Sequence, residues 1–398
     1  MSSPIPQRSV TILSFAAFAS SASLRGTDAL LPLLATEFGT TPGGAAAVIT
    51  AFSVAYGLLQ LVHGPIGDNL GKYRLVLITS VISTFGTIAC ALAPSLGWLI
   101  VARFAAGATI GAAIPLAMAW LGDVVPYAVR QAVLARFLIG QMVGVGSGTA
   151  LGGYLGEHFG WRSLFYVLTV VYALVSLLLW LEMRRTPQTR RDPNAPPSSI
   201  RDGFRRMAGL LPDPWVRAML TMVYLEGALF FGAMSFVALH LHSHLGAGLG
   251  VSGSAVIAYA IGGVLYALVS RRLVTRLGER GLALFGGLTV GAGYFGLVLA
   301  PSVAWALICL LAMGAGLYML HNTLQVQATQ MAPNSRGAAI ALFAFVLFSG
   351  QSSGVWAGSL VVDAFGTTTL FLVSAICLPL LALEFRRRLA RRAAVQPA

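Results

Sequence analysis

The chain has 398 residues, of which 57% are hydrophobic and only 10% are charged. A soluble domain carries about 25% charged residues, because its exterior must be polar. The composition therefore excludes a soluble enzyme, a disordered protein and a secreted disulfide scaffold, and it predicts a protein whose solvent is a lipid bilayer. Cys90, Cys309 and Cys377 all lie in apolar runs and are interpreted as packing residues.

Apolar runs of transmembrane length follow one another along the chain. A helix needs about 20 residues to cross a hydrocarbon core of about 30 Å. Each run is near that length or above it, so the sequence predicts an all-α membrane protein with twelve transmembrane helices. The predicted spans are 10–33, 45–66, 73–93, 97–121, 132–156, 161–183, 215–240, 250–270, 281–300, 303–328, 337–360 and 365–385.

The net charge of +13 indicates the orientation of these spans. With both termini in the cytoplasm, all 26 Lys and Arg residues except Arg25, Arg103 and Arg162 lie on or beside cytoplasmic segments. Positive residues concentrate on that side, so we expect a multi-pass protein of the cytoplasmic (inner) membrane with both termini inside. The basic charge is then a topology signal, and nucleic acid is not expected as a partner. A monomer is expected.

The first span carries two charges, Arg25 and Asp28, on one helical face. Its start, with Arg8 and the small residues 19–23, also resembles a cleavable signal peptide, but apolar sequence resumes directly afterwards. Charges persist inside a membrane mainly where they face a polar cavity. Pro32 has no amide hydrogen, so the backbone carbonyl of residue 28 is left without its helical hydrogen bond. Burial disfavours a charged carboxylate, so Asp28 is the predicted proton carrier. A structural ion pair is the alternative.

A polar stripe follows on the second span, where four polar side chains recur at helical spacing. We expect the stripe to face a central cavity and to contact solute, and interhelical hydrogen bonds are the alternative. Its members are Ser53, Tyr56, Gln60 and His63.

The loop after the second span has the sequence GPIGDNLGKYR at residues 64–74. Glycine permits a tight turn there, and an aspartate can accept hydrogen bonds from a helix N-terminus. Together with the twelve spans, this resembles motif A of the major facilitator superfamily (MFS), although Asn69 stands where that family usually has a cation. The resemblance covers essentially the whole chain and implies a cytoplasmic gate. The implied gate residues are Gly64, Asp68, Gly71, Lys72, Arg74 and Asp123.

Spans four and five carry two further patterns that resemble the family. Leu99, Arg103 and Gly107 are similar to motif B, whose arginine is associated with proton coupling. In span five a glycine-rich run is similar to motif C, which marks the twelve-helix drug:proton antiporter branch, with Thr149 in place of the usual proline. Glycine at every fourth position also makes a flat face that another helix can approach closely. The glycines at every fourth position are Gly140, Gly144, Gly148 and Gly152, and those of the motif C-like run are Gly144, Gly148, Gly152 and Gly153.

An Arg- and Pro-rich polar segment, 184–214, separates the first six spans from the last six and is predicted to be a cytoplasmic linker. Apolar residues between 200 and 211 recur at helical spacing, and Ser199 is placed to cap a short helix on the inner leaflet; a solvated loop is the alternative. A shift of 206 residues places Gly144 on Gly350 and continues through spans five to six and eleven to twelve. The sequence therefore predicts two similar six-helix bundles, 1–183 and 215–398, with a site between them near the midplane.

The second bundle contains the remaining candidate residues. Glu226 is the only acid in span seven. We predict a role in proton coupling or in cation binding, and an interhelical hydrogen bond is the alternative. Span seven ends with three histidines, which a loop could gather around Cu or Zn. Span ten carries a second polar stripe. The histidines are His240, His242 and His244, and the predicted contacts to solute in both bundles are Arg25, Asp28, Tyr56, Gln60, Gln141, Glu226, Tyr318, His321, Asn322, Gln325 and Gln351.

The resemblance implies a secondary active transporter that exchanges protons for small amphipathic compounds by alternating access. No ATP-binding loop is recognisable, so we expect no cofactor and no enzymatic activity, with a proton gradient as the energy source. The expected partners are a small-molecule substrate, protons and the lipid bilayer. The alternatives are an importer of a metal ion such as copper or of a small metabolite, and, in a different class, a non-transporting membrane receptor or scaffold.

Overall fold

The computed structural model describes residues 6–190, 199–332 and 336–395. These residues are helical almost throughout and contain no β-strand. Eight of their helices are long and apolar enough to cross a membrane. Before the linker the helices are α1 (Gln7–Arg25), α2 (Leu31–Phe38), α3 (Pro42–Ala45), α4 (Ala47–Leu70), α5 (Lys72–Ala91), α6 (Leu96–Ile110), α7 (Ala113–Val124), α8 (Tyr127–Phe159) and α9 (Arg162–Arg185).

A second series of helices begins after the linker. We call residues 6–190 the N-terminal part and residues 199–395 the C-terminal part. The second series consists of α10 (Ile200–Ala208), α11 (Pro214–Glu226), a π-helical turn (Gly227–Phe231), α12 (Gly232–Met234), α13 (Val237–Leu245), α14 (Leu249–Ala255), α15 (Ile257–Val298), α16 (Val303–Gln330) and α17 (Arg336–Val395).

The internal repeat of the sequence recurs in the backbone geometry. Two helices of the N-terminal part end at Gly71 and Gly160, while Gly278 and Gly366 interrupt the helical geometry inside α15 and α17. All four have the positive φ that glycine adopts without steric penalty. The described glycines with positive φ form pairs 206 or 207 residues apart: Gly39 with Gly246, Gly71 with Gly278, and Gly160 with Gly366.

The glycine face of α8 packs on the backbone of α1, as the four-residue spacing predicts. A Cβ atom on Gly144 or Gly148 would lie within 3.0 Å of the backbone of Phe18 or Ala22. The corresponding Gly350 of α17 lies equally close to α11. Close helix approach therefore explains the glycines in both parts of the chain.

Two close helix contacts between the N- and C-terminal parts are α8 with α14 and α4 with α17. A Cβ atom on Gly153 of α8 would clash with the carbonyl of Leu249 at the start of α14. A Cβ atom on Gly57 of α4 would lie 2.8 Å from Phe348 of α17. We call the end of the bundle where α9 ends and α11 begins the linker end, and the other the far end.

The predicted linker helix is present as α10. The Ser199 side chain accepts a hydrogen bond from the Asp202 backbone amide at 3.4 Å, as the capping pattern predicts. Met207 is buried, whereas Ile200 and Phe204 are 41% and 43% exposed. The helix therefore packs on the bundle by one face and leaves part of its apolar surface uncovered.

Candidate functional site

The break in the first membrane helix places an ion pair in the interior. Helix α1 ends at Arg25, a 3₁₀ turn begins at Asp28, and Pro32 lies in the first turn of α2. Arg25 Nη1 lies 3.2 Å from Asp28 Oδ2, and the two residues are only 4% and 2% exposed. The same Nη1 donates to Ser235 Oγ of the C-terminal part at 3.2 Å. The predicted pair therefore links the two parts of the chain and does not face lipid.

Arg103 supports this break from the neighbouring helix. Its guanidinium donates to the Ser23 carbonyl at 3.2 Å and to the Thr27 hydroxyl at 3.3 Å. Its Cζ atom lies 3.9 Å from the centre of the Phe52 ring, which offers a cation–π contact. Arg103 is thus bonded to residues of the break on the N-terminal side of Asp28.

A second buried pair forms between Glu226 and His321. His321 Nδ1 lies 2.8 Å from Glu226 Oε2, and Glu226 is fully buried. Glu226 ends α11 directly before the π-helical turn, so a helix irregularity lies beside each buried acid. The sequence singles out both residues but not their pairing, because they lie 95 residues apart.

An aromatic ring lies between the two charged pairs. Arg25 Cζ lies 5.3 Å from the centre of the Phe231 ring, and the centre of the His321 ring lies 6.3 Å from the same point. Asp28 Oδ1 and Glu226 Oε1 are buried and have no hydrogen-bond partner among the described residues. We call this assembly the central cluster: Arg25, Asp28, Glu226, Phe231, Ser235 and His321.

The span-two stripe is divided between two roles. The Tyr56 ring packs on Phe348 at 4.4 Å, and Ser53 accepts a hydrogen bond from the Gln351 amide at 3.3 Å. Both contacts connect the N- and C-terminal parts. Gln60 instead donates to the Gly111 carbonyl at 3.0 Å, which is the interhelical alternative considered for this stripe.

The remaining predicted solute contacts lie outside the central cluster. Tyr318 packs against Gly263 of α15, and Asn322 bonds to Tyr266 of the same helix. Gln325 is exposed and Gln141 is half-buried. Within the described residues, no charged member of the central cluster bonds to Asn322, Gln325 or Gln141.

At the linker end, Lys72 contacts both aspartates of the predicted gate. Lys72 Nζ lies 2.5 Å from Asp123 Oδ2 and 3.6 Å from Asp68 Oδ1. Gly71, with φ of 92°, makes the turn that brings Lys72 back towards Asp68. The aspartates are about half exposed, so their attraction to Lys72 is screened by water.

The C-terminal part has a charged residue at the linker end, Glu279, in the position that corresponds to Lys72. The patterns within single spans do not reveal it. Glu279 follows Gly278 as Lys72 follows Gly71, with the opposite charge. It accepts a hydrogen bond from Gln327 at 2.7 Å and lines a cavity of about 440 Å³. The 207-residue offset from Lys72 is the signal that could have found it.

The three histidines of span seven make hydrogen bonds within the protein. His240 has Nδ1 against the Thr367 hydroxyl and Nε2 against the Leu297 carbonyl. His242 Nδ1 lies 2.8 Å from the Ala247 carbonyl, and His244 bonds to Thr368. Within the described residues no group of three His, Cys, Asp or Glu side chains is placed to hold a metal ion. The rings of His240 and His244 stack with their centres 4.2 Å apart, while the His242 ring bonds to a backbone carbonyl instead.

Comparisons with known proteins identify the family. A family model described as Major Facilitator Superfamily matches residues 13–355. An uncharacterized MFS-type transporter, YceJ of Bacillus subtilis (strain 168), is 26% identical over 337 residues, which are 82% of each chain. The multidrug export protein EmrB of Escherichia coli (strain K12) is 28% identical over 162 residues, 41% of this chain and 31% of that protein.

The structural comparison gives the same fold. A solved structure of the nucleoside transporter NupG superposes with a TM-score of 0.78 at 15% identity, covering 95% of this chain and 98% of that one. At this identity the likeness concerns the fold alone. Three findings agree: the interior ion pairs, the motif at the linker end and the matched family model. This chain is an integral membrane transporter and not an enzyme, and it belongs to the Major Facilitator Superfamily.

Proposed function

We propose that this transporter is a proton-coupled antiporter that exports small amphipathic compounds. One observation carries the proposal: two fully buried carboxylates, Asp28 and Glu226, each have one oxygen paired with a basic side chain. The second oxygen of each has no partner among the described residues. Acids are placed in a membrane interior at considerable cost, and they mark proton relays and solute pathways.

The architecture proposed for it is twelve helices in two six-helix bundles, 1–183 and 215–398, joined by the linker. The paired glycine turns support this division, because Gly278 and Gly366 divide α15 and α17 where Gly71 and Gly160 divide their counterparts. Lys and Arg are concentrated at the linker end, so we place that end in the cytoplasm of a cell whose inner membrane holds the protein.

Proton binding can be coupled to the movement of the two parts through Arg25. Protonation of Asp28 removes the charge that faces Arg25, while Arg25 still bonds to Ser235 in the other part. The energy of that bridge then depends both on the proton and on how the parts are positioned. A proton whose binding energy differs between two conformations shifts the equilibrium between them.

The surroundings of the cluster favour an amphipathic solute. Phe231, Phe348 and Tyr56 present aromatic faces near the interface between the parts, and the buried acids provide charge. Apolar walls with a few polar groups are typical of sites for small organic molecules. The relative EmrB is named for multidrug export, which agrees with this solute class.

The test is transport by purified protein in proteoliposomes. Candidate solutes come first from a growth screen, in which an efflux-deficient host expressing the protein is exposed to a panel of compounds. We expect an imposed pH gradient to drive accumulation of an active compound against its gradient. If the rate of solute movement depended neither on the pH gradient nor on the Asp28→Asn substitution, the proton-coupled mechanism would be contradicted.

Control variants and alternative functions belong to the same assay. Glu384→Gln removes an acid that pairs with Arg388 in the last part of α17, and should leave coupling unchanged. Inward movement of a metabolite or copper driven by the same gradient would favour the importer alternative. The absence of any solute flux by folded protein would favour a receptor or scaffold.

A further inference from the structure

Two acidic side chains at the far end cross between the N- and C-terminal parts. Glu157, near the end of α8, accepts a hydrogen bond from the backbone amide of Gly250 at 2.7 Å. Asp363 of α17 accepts from the Gly43 amide at 2.9 Å and from the Thr41 hydroxyl at 2.7 Å. Each carboxylate therefore binds the start of a helix that belongs to the other part of the chain.

The two contacts are copies of one another under the internal repeat. Asp363 lies 206 residues after Glu157, and Gly250 lies 207 residues after Gly43. Glu157 lies two residues before the end of α8, and Asp363 lies three residues before the break at Gly366 in α17. The donors Gly43 and Gly250 lie in the first turns of α3 and α14. The shift that relates the two bundles therefore maps one contact onto the other.

Glycine makes room for both carboxylates. A Cβ atom on Gly43 would lie within 3.0 Å of the Asp363 carboxylate, and one on Gly248 would lie 2.5 Å from Glu157 Oε1. Such separations are not found for real Cβ atoms, so a side chain at either position would push the acid away. The first backbone amides of a helix have no intrahelical partner and carry partial positive charge, so an anion there is favourable.

We propose that Glu157 and Asp363 form two symmetric latches that hold the far end of the transporter shut. Opening this end separates α8 from α14 and α17 from α3, which breaks both sets of hydrogen bonds at once. The latches thereby stabilise the conformation in which the central cluster is cut off from the far side. This inference rests on the proposed alternating access, but it concerns which end is closed and not the solute or the coupling ion.

The test measures the separation of the two parts at the far end. Leu92 and Leu299 are 62% and 60% exposed, follow the ends of α5 and α15, and lie 207 residues apart. Spin labels on cysteines at these positions, after replacement of the three native cysteines, report the distance by pulsed electron paramagnetic resonance in lipid nanodiscs. Closed and open far ends then give a short and a long distance.

Both latches are removed by Glu157→Ala and Asp363→Ala. Each single variant should raise the ratio of long to short distance about two- to fivefold, and the double variant about tenfold, as expected for exposed charges at helix N-termini. Gly43→Ala and Gly248→Ala keep the acids but displace them, so they should shift the ratio in the same direction. An unchanged ratio in the double alanine variant would overturn the proposal.

The matched control is Glu37→Gln. Glu37 is an acid at the same end whose partner Arg162, at 2.8 Å, belongs to the same N-terminal part. It should leave the distance ratio unchanged, and an equal effect there would also overturn the proposal. Because the readout is a distance, a shifted ratio in a protein that moves no solute would support the latches while contradicting the proposed transport.

Discussion

The Arg25–Asp28 pair combines a structural and a functional role. Removing one member of a buried pair costs about 3–5 kcal/mol, because the other charge remains without compensation. We therefore expect Asp28→Asn to lower the melting temperature as well as to abolish transport driven by a pH gradient. The measurements are thermal unfolding in detergent and flux in proteoliposomes.

The double variant Asp28→Asn/Arg25→Gln separates the two roles. It removes both charges, so it should recover much of the stability that the single variant loses while gradient-driven transport stays abolished. If coupled transport returned together with stability, Asp28 would be a structural residue only.

The Glu226–His321 pair is suited to a double-mutant cycle. The two side chains are bonded at 2.8 Å in a buried setting, and directly bonded groups show coupling energies of about 0.5–3 kcal/mol. We expect Glu226→Gln and His321→Asn to be non-additive in stability by about that amount, and each to change the pH profile of transport. A wild-type pH profile in Glu226→Gln would restrict this pair to a packing role.

At the scale of helices, the glycine face of α8 controls how closely α1 can pack. A methyl group on Gly148 would lie within 3.0 Å of the Ala22 backbone. We expect Gly148→Ala to destabilise the protein by about 1–3 kcal/mol, the usual effect of overpacking. Thermal unfolding of the purified protein measures it.

Gly122 of α7 provides the control for that substitution. An added Cβ there has no neighbour within 4 Å, and the residue lies within a helix. Gly122→Ala should leave stability unchanged or raise it by about 0.4–1 kcal/mol through the unfolded state. Equal destabilisation by both substitutions would argue against close helix approach as the reason for the glycine pattern.

At the scale of the whole molecule, the Lys72–Asp123 contact should affect conformational exchange more than stability. Exposed ion pairs contribute about 0–1 kcal/mol, because water screens them. We expect Asp123→Asn to change unfolding little while slowing transport several-fold, since the resemblance places this residue in the cytoplasmic gate. Initial transport rates compared with unfolding temperatures test this, and a loss of both in proportion would indicate a purely structural contact.

Local patterns in the sequence predict much of this protein. The four-residue glycine spacing predicts the face of α8, Ser199 predicts the start of α10, and the motif after span two predicts the turn at Gly71. The 206-residue shift anticipates the turn at Gly366, which corresponds to Gly160. These features depend on neighbours along one helix or on repetition of one segment, and both are written directly in residue order.

The tertiary structure alone decides which distant side chains meet. Residue order does not show that Glu226 pairs with His321, that Arg25 reaches Ser235, or that Asp363 contacts Gly43 across 320 positions. It also does not show that the ring nitrogens of His240 bond to the Thr367 hydroxyl and the Leu297 carbonyl. Helical periodicity specifies the direction of a side chain around its own axis, whereas contacts between helices depend on crossing angles and on the distance of approach. Those quantities arise only when all the helices pack together.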